Sequence, residues 1–313
     1  MGIIIGLYIV IDVCFVIYGV PHVLRWIKFP TFSVDLFMYG KTRGDSGVQT
    51  ALVKFIEVPK SWFKHFYAYG LLVSIYMAVL TVGTFYLGLT VPGAEFVQTL
   101  IDRTPVSVDK HAATLVTLMM LMQHIRRLYE SLFVSVYSKG TMNLVHYFVG
   151  FFLYSTVQLC AISGVGSLRP SRDDPFQQIS NLDGASLQML LTNHWNKVLG
   201  VVIFLWASFH HSKTHTILAN LRKDRTGTRV LHRQHVIPRG GSFTYLSAPH
   251  FVYEICLYLA MGLVCMQNPT MWWGPVLFVV INQGLMSVET HQWYKKTFKE
   301  YPQNRYALIP GIY

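Results

Sequence analysis

Seven runs of apolar residues, separated by polar segments rich in Gly and Pro, divide the chain. They cover residues 3–20, 66–91, 113–135, 143–164, 196–211, 250–266 and 271–289. A helix crosses the roughly 30 Å hydrocarbon core of a bilayer with about 20 residues, in a range of about 17 to 25. The pattern therefore predicts an all-α integral membrane protein with about seven transmembrane helices.

The distribution of Lys and Arg gives an orientation to these spans. Of the 26 basic residues, 19 lie in the connections after spans one, three and five and in the C-terminal tail, and 4 lie on the opposite side. Cytoplasmic loops are enriched in Lys and Arg. The split predicts a lumenal N-terminus and a cytosolic C-terminus.

Composition agrees with a membrane location and narrows the class of partner. The chain is 52% hydrophobic and 13% charged, with a formal net charge of +11. Because most of this charge lies in the predicted cytosolic segments, it indicates anionic lipid head groups or an anionic ligand, and no nucleic acid. No repeat or flexible linker divides residues 1–313, so we expect one membrane-embedded domain.

Ionisable residues inside apolar spans are costly and commonly functional. Those in the predicted spans are Asp12, His124, Arg126, Arg127, Glu130, His146, Glu254 and Glu289. In the third span, His124 and Arg127 stand at i and i+3, and Arg126 and Glu130 at i and i+4, so each pair shares a helix face. The second pair is either an internal ion pair that makes the helix insertable or part of a functional site.

A basic loop follows the fifth span and indicates an anionic ligand. It carries Arg222, Lys223, Arg225, Arg229, Arg233 and Arg239 and continues through Gly240-Gly241 to Glu254 in the sixth span. It is too long for a simple connector, and long ordered loops commonly carry function. We expect a phosphate-bearing cofactor here, with positive-inside anchoring as the structural alternative.

Other familiar sites are not supported. Gly164 and Gly166 begin a dinucleotide-binding glycine pattern, but Arg169 occupies the third glycine position and no strand–helix context surrounds it. His211 and His215 have the i, i+4 spacing of a helical metal site, but no further ligand cluster accompanies them. We therefore expect no metal, and a hydrogen-bonding role for these histidines.

Several blocks together carry a resemblance to a known family. They are GKTRGD at 40–45, EVPKSWFKHFY at 57–67, RRLYESLFVSVYS at 126–138, HTILANLRK at 215–223, IPRGGSFTYLSAPHFVYE at 237–254 and HQWYKKTFKEYPQNRYALIP at 291–310. In this order they resemble the steroid 5α-reductase family, and most closely its polyprenol (polyprenal) reductase branch. The resemblance covers nearly the whole chain.

The resemblance implies an endoplasmic reticulum membrane enzyme that uses NADPH to reduce a carbon–carbon double bond conjugated to a carbonyl. It places most of the cofactor site in residues 196–313. Arg222 then meets the cofactor phosphates, Glu254 lies near the nicotinamide amide, and Tyr294 lines the dinucleotide. The further cofactor-binding positions that the resemblance implies are His215, Asn220, Lys223, His235, Tyr245, His250 and His291.

The same resemblance implies two catalytic residues. Glu57 matches the acid that faces the substrate carbonyl, and His124 falls near the position of a carbonyl-binding tyrosine. Glu57 lies among Phe55, Ile56, Val58 and Trp62, where desolvation would keep a carboxyl protonated as a hydrogen-bond donor. Alternatively, Glu57 is an interfacial acid paired with Lys54 or Lys60.

Departures from the steroid enzymes favour the prenyl branch. The family's Asn, Tyr-Arg pair, Arg and His are replaced here by His250, His235-Val236, Met286 and Thr290. We therefore expect reduction of the α-isoprene unit of a long-chain polyprenal or polyprenol towards dolichol, the lipid carrier of N-glycosylation, with no obligate protein partner. The alternatives are a 3-oxo-4-ene steroid reductase, an S-adenosylmethionine-dependent membrane methyltransferase and a non-catalytic transporter or lipid-binding protein.

Overall fold

The structure is a computed structural model of the full chain. It describes residues 2–27, 56–101, 108–137, 140–170, 193–224, 226, 230–231, 235–266, 269–309 and 311. The GKTRGD block at 40–45 and the basic residues Arg225, Arg229 and Arg233 lie outside the described residues, as does Lys54.

Helices dominate the described part of the chain. They are α1 (Gly2–Cys14), α2 (Val20–Val23), α3 (Phe63–Phe85), α4 (Ala94–Leu100), α5 (Lys110–Tyr129), α6 (Leu144–Ile162), α7 (Trp195–Asn220), α8 (Pro249–Val264) and α9 (Pro269–Thr297). A π-helical turn, Phe15–Gly19, joins α1 to α2, and a second, Glu130–Val134, extends α5. Short 3₁₀ turns, Lys60–Trp62 and Gly241–Thr244, precede α3 and α8.

Each apolar run of the sequence contains a long helical segment, which confirms that the protein is mostly helical. Three segments of the described chain are long and apolar enough to cross a bilayer, namely Ile4–Val23, Lys60–Phe85 and Leu144–Ile162. The chain is therefore a membrane protein. The count of seven spans and their orientation stay predictions. The helix boundaries differ most for α7, which continues nine residues beyond the apolar run that predicted it.

The strand content of the described residues is a short antiparallel ribbon. Strand β1 (Glu57–Pro59) pairs with β2 (Thr141–Asn143), with Val58 opposite Met142. Both side chains are buried and pack with Phe66. The ribbon therefore fixes the start of α3 against the start of α6.

The bundle is held by close helix contacts. The most extensive are between α7 and α8, and between α3 and α5. At Gly200 of α7, an added Cβ would lie 2.7 Å from the carbonyl oxygen of Ala260 and 2.6 Å from a methyl of Val264. Small residues permit such approach between membrane helices. Helix α1 packs on α9 and α6, where the hydroxyls of Tyr8 and Thr156 lie 2.8 Å apart.

Replacing Gly200 with Ala should destabilise the bundle. The new methyl has no room against Ala260, and overpacking costs about 1–3 kcal/mol, which exceeds the roughly 1 kcal/mol gained in helix propensity. We expect a melting temperature several degrees lower in detergent. Gly6→Ala, where an added Cβ meets no atom within 4 Å, is the matched control and should melt at or slightly above the wild-type temperature. Equal melting of Gly200→Ala and wild type would contradict the close packing.

An ion pair joins α5 to α7 at the end opposite the basic loop. Asp109 caps α5 by accepting from the backbone N–H of His111 at 3.0 Å, and it also accepts from the ammonium of Lys197. Burial raises the pKa of the Asp109 carboxyl, but the hydrogen bonds from Lys197 and His111 outweigh it, and the pKa lies below its ordinary value.

Because folding lowers this pKa, the stabilisation is present above the unfolded-state value of about 4 and is lost as pH falls through the folded value. Asp109→Asn keeps a capping oxygen but removes the charge, so it should cost about 1 kcal/mol near pH 7. The difference from wild type should shrink as pH falls below roughly 4 and vanish once Asp109 is protonated in the folded protein. Thermal unfolding across this range measures it, with Glu95→Gln as a control at an exposed carboxylate that pairs with no cation among the described residues. A difference that is constant with pH would contradict the linkage.

Candidate active site

An apolar cavity of about 310 Å³ runs between α6 and α9. Helix α6 contributes residues at helical spacing, and α9 contributes a second such strip. At one end Tyr8 and Phe278 meet, with ring centroids 6.4 Å apart. The two strips consist of His146, Val149, Gly150, Leu153, Tyr154 and Val157, and of Pro275, Phe278, Val279, Asn282 and Gln283.

A second cavity, also of about 310 Å³, lies beside the C-terminal end of α7. We call it the basic cavity, because Lys60, Arg127 and Arg222 line it and no Asp or Glu is among its described lining residues. Its histidines are His215, His235 and His250, and Tyr294 forms part of its wall. Arg222 is held by donating to the carbonyl of Val136, and its other terminal nitrogen lies 3.3 Å from Nδ1 of His235.

The two cavities adjoin. Both are lined by Phe63, Tyr67, Arg127, His215 and His250. A ligand in one cavity would therefore meet a ligand in the other at this junction.

Buried charges support the junction. Arg126 and Arg127 both bind Glu130, at 2.7 and 2.5 Å, and the side chain of Glu130 is 2% exposed. The expected Arg126–Glu130 ion pair is thus confirmed, and Arg127 joins it. Arg127 also donates to the hydroxyl of Tyr67 at 2.7 Å. Breaking one member of such a buried set leaves an uncompensated charge at a cost of about 3–5 kcal/mol.

The network extends from α5 to α7 and α8. Arg126 donates to Nδ1 of His211 at 2.8 Å, and Nε2 of His211 lies 3.4 Å from a carboxylate oxygen of Glu254. The Nε2 atoms of His211 and His215 are 3.2 Å apart. Gln123 adds a donor to Glu254 at 3.3 Å.

This network also bears on the metal alternative. Ligand atoms of Glu130, His211 and His215 lie within 4.8 Å of one another. However, Glu130 already accepts from two guanidinium groups, and Arg126 occupies Nδ1 of His211. Two fixed positive charges beside these atoms disfavour a further cation. The histidines act here as hydrogen-bonding groups.

The structure brings together six of the ten residues predicted to bind the cofactor. His215, Arg222, His235, His250 and Tyr294 line the basic cavity, and Glu254 lines the apolar cavity next to the junction. Their convergence comes from four segments: α7, the loop before α8, α8 itself and the end of α9.

The other four lie outside both linings. Asn220 is exposed at the end of α7, and Lys223 forms an isolated backbone bridge with Val230. Tyr245 is 64% exposed, and His291 is buried with its Nδ1 2.6 Å from the hydroxyl of Ser247. Their predicted role as cofactor contacts stays untested.

The two residues predicted to be catalytic also lie off the cavity surfaces. Glu57 accepts from the hydroxyl of Thr141 at 2.8 Å within the β-ribbon. His124 is 1% exposed, and its Nδ1 lies 2.6 Å from the hydroxyl of Ser74. Tyr154 packs edge-on against the His124 ring at 4.6 Å and separates it from the apolar cavity.

Sequence reasoning missed Lys60 and Tyr67 as lining residues. Phe63 and Tyr67 stand at i and i+4 in α3, which places them on one helix face. This spacing alone does not distinguish them from ordinary core aromatics. The signal that could have found Tyr67 is its need for a polar partner, which Arg127 in α5 supplies.

Comparison with known proteins is consistent with this geometry. Residues 176–313 match the family model for 3-oxo-5-alpha-steroid 4-dehydrogenase. The chain is similar to polyprenal reductases from Caenorhabditis elegans, 36% identical over 96% of this chain and 92% of the relative, and from Xenopus tropicalis, 30% identical over 98% of both. The human polyprenal reductase is 31% identical over 89% of this chain and 85% of its own length.

The chain belongs to the polyprenal reductase family. The alignments span almost the full length of this chain and of each relative. They therefore include the N-terminal helices as well as the segment that the family model matches. Members of this family are oxidoreductases that act on CH–CH groups. The expected resemblance is confirmed.

Proposed function

We propose that this protein is an NADPH-dependent polyprenal reductase that saturates the α-isoprene unit of a long-chain prenyl aldehyde towards dolichol, for use as the lipid carrier in protein N-glycosylation. The observation that carries the proposal is the junction of the two cavities. A charged dinucleotide and an apolar lipid need opposite surroundings, and the basic and apolar cavities supply these on either side of shared residues.

The basic cavity fits the phosphate-bearing cofactor by its donor set. Lys60, Arg127 and Arg222 line it, and of these Arg127 is already paired with Glu130. Guanidinium groups bind phosphate oxygens with paired donors and ammonium groups bind them as point charges, so we propose that Arg222 and Lys60 bind the phosphates. Tyr294 is 3% exposed and stacks on Tyr301 at 5.3 Å, which presents a rigid aromatic wall to a dinucleotide.

The apolar cavity fits the head of a prenyl chain. Its lining from α6 and α9 is mainly hydrophobic. At about 310 Å³ it lies at the small end of ligand sites, which span roughly 300 to 1,000 Å³, so a chain of many isoprene units extends beyond it. We propose that the tail leaves sideways into the bilayer beside the N-terminal half of α6, whose residues are half-buried to exposed.

The chemistry has three requirements. NADPH, when bound, supplies a hydride. The protein must orient the conjugated aldehyde, stabilise the negative charge that develops on its oxygen, and exclude water from the reacting carbon. We propose that Glu254 and the histidines of the junction orient the nicotinamide amide. Glu57 and His124 keep their predicted catalytic roles only through a rearrangement that brings them to the cavity surface.

We place the enzyme in the endoplasmic reticulum membrane with seven spans, a lumenal N-terminus and a cytosolic C-terminus. The support is the 19 to 4 division of basic residues and the family to which the chain belongs. In this orientation the basic cavity faces the cytosol, where NADPH is available. Prenyl lipid and bilayer are the partners that the proposal needs.

The first test concerns the cofactor. Arg222→Ala should weaken NADPH binding tenfold to a hundredfold, because a charge-assisted hydrogen bond contributes about 1.5–3 kcal/mol, and wild type should prefer NADPH over NADH. Equilibrium titration of the purified protein measures both. Lys213→Ala, at an exposed cation of α7 that lines neither cavity, is the control and should bind as wild type. Equal affinity for both nucleotides, or undiminished binding by Arg222→Ala, would contradict the assignment.

The second test concerns the substrate. With NADPH, a long-chain prenyl aldehyde should be reduced at least tenfold faster than a 4-ene-3-one steroid, because the lining of the apolar cavity continues along two helices, which suits an extended chain. Product analysis by mass spectrometry with both substrates decides this. Efficient reduction of the steroid without reduction of the prenyl aldehyde would contradict the proposed prenyl substrate. Methyl transfer from S-adenosylmethionine without NADPH oxidation would contradict the reductase itself.

A further inference from the structure

The junction between the cavities is the place where a hydride donor and a conjugated aldehyde meet, so the oxyanion donor should lie there. Five residues line both cavities: Phe63, Tyr67, Arg127, His215 and His250. Phe63 has no polar group, and the cation of Arg127 is already engaged by Glu130. Of these five residues, Tyr67 is the one with a hydroxyl group.

The hydroxyl of Tyr67 is prepared to donate. Its oxygen accepts from Nη2 of Arg127 at 2.7 Å, and the guanidinium carbon lies 4.9 Å from the ring centroid. Among the hydrogen bonds of the described residues, this phenol donates to none. A phenol whose oxygen accepts from a cation is a stronger donor through its own proton. The ring is also held, packing between Phe66 at 5.7 Å and Tyr154 at 6.1 Å.

Neighbouring polar groups are less suited to the task. Tyr154 and Tyr258 line only the apolar cavity. Glu254 lines that cavity too, but its carboxylate already accepts from Gln123 and lies beside His211. Tyr154 and Tyr258 lie near enough to Tyr67 and Glu254 to interact electrostatically. They therefore flank the junction of the two cavities, where the hydroxyl of Tyr67 lies.

We propose that Tyr67 is a catalytic residue: its hydroxyl, backed by Arg127, binds the carbonyl oxygen of the substrate and stabilises the enolate. The inference rests on the proposed reductase function and names the group that performs its electrostatic step. It assigns this step to α3 and α5, whereas the resemblance placed it on Glu57 and His124.

The step balances as follows. With NADPH bound, the β-carbon would accept its hydride, the π electrons of the C=C bond would move towards the carbonyl, and the oxygen would become negative. Tyr67 would donate its hydrogen bond to that oxygen. The enolate would then take one proton at the α-carbon from a solvent water, which leaves as hydroxide, and the C=O bond would be restored. The products would be the saturated aldehyde, NADP⁺ and hydroxide.

The decisive comparison is Tyr67→Phe against Tyr69→Phe in the full-length protein. Both variants remove one phenol oxygen from α3, but that of Tyr69 lies 2.6 Å from the hydroxyl of Ser155, and Tyr69 lines neither cavity. With NADPH and a polyprenal of defined length, Tyr67→Phe should lower kcat about 100-fold or more, as loss of an oxyanion donor does. Its KM should change less than threefold, and Tyr69→Phe should stay within threefold of wild type in both parameters.

The outcomes separate this inference from the function on which it rests. A loss of kcat of less than tenfold in Tyr67→Phe, with active wild type, overturns the role of Tyr67 and leaves the reductase standing. Wild type that neither oxidises NADPH nor saturates the aldehyde overturns both. Titration of NADPH and the melting temperature of each variant show whether a loss of kcat is confined to catalysis.

A second variant decides the case if Tyr67→Phe does not fold. Replacing Tyr67 with a trifluorinated tyrosine keeps the ring and the hydroxyl but makes the phenol more acidic. Because the proposed donor must be protonated, the alkaline limb of the kcat profile should move to lower pH than in wild type. A limb that does not move overturns the proposal. The same replacement at Tyr69 should leave the profile unchanged.

Discussion

The requirement that buried charges be paired organises this protein. Helix α5 carries Arg126 and Arg127 within an otherwise apolar bundle, and both guanidinium groups bind the carboxylate of Glu130 in the π-helical turn that follows. Charges inside a membrane protein cost several kcal/mol unless they are paired and hydrogen-bonded. Their remaining donors therefore have to find acceptors on neighbouring helices. Those acceptors are Tyr67 on α3 and His211 on α7.

This pairing also holds Arg127 at the junction of the two cavities. Arg127 lies where the basic and apolar cavities adjoin, so the same side chain completes a structural ion pair and lines both ligand compartments. Arg126 connects α5 to His211, which continues to Glu254 on α8. A reductase needs its cofactor and substrate to meet in a fixed arrangement. A network in which each member fixes the next supplies that rigidity.

Close packing of α7 on α8 complements the network. Gly200 allows the two helices to approach until backbone meets side chain. Helix α7 then continues past its apolar run, so that His215 near its end and Arg222 just after it line the basic cavity. The polar extension of a membrane helix thus brings an imidazole and a guanidinium group to this cavity without a separate domain. The β-ribbon also fixes the start of α3 against the start of α6.

By itself, the sequence determined the helical class, the positions of the long helices, the Arg126–Glu130 pair and the family. These follow from apolar run length, i, i+4 spacing and matching blocks, all of which are local along the chain. It also indicated five residues of the basic cavity, because His215, Arg222, His250 and Tyr294 lie in those blocks and His235 lies two residues before one of them. Tertiary structure alone decided that Tyr67 meets Arg127 across 60 residues, and that His124 faces Ser74 behind Tyr154. Such contacts depend on helix rotation and crossing, which are set by packing against other helices and leave no local pattern in the chain.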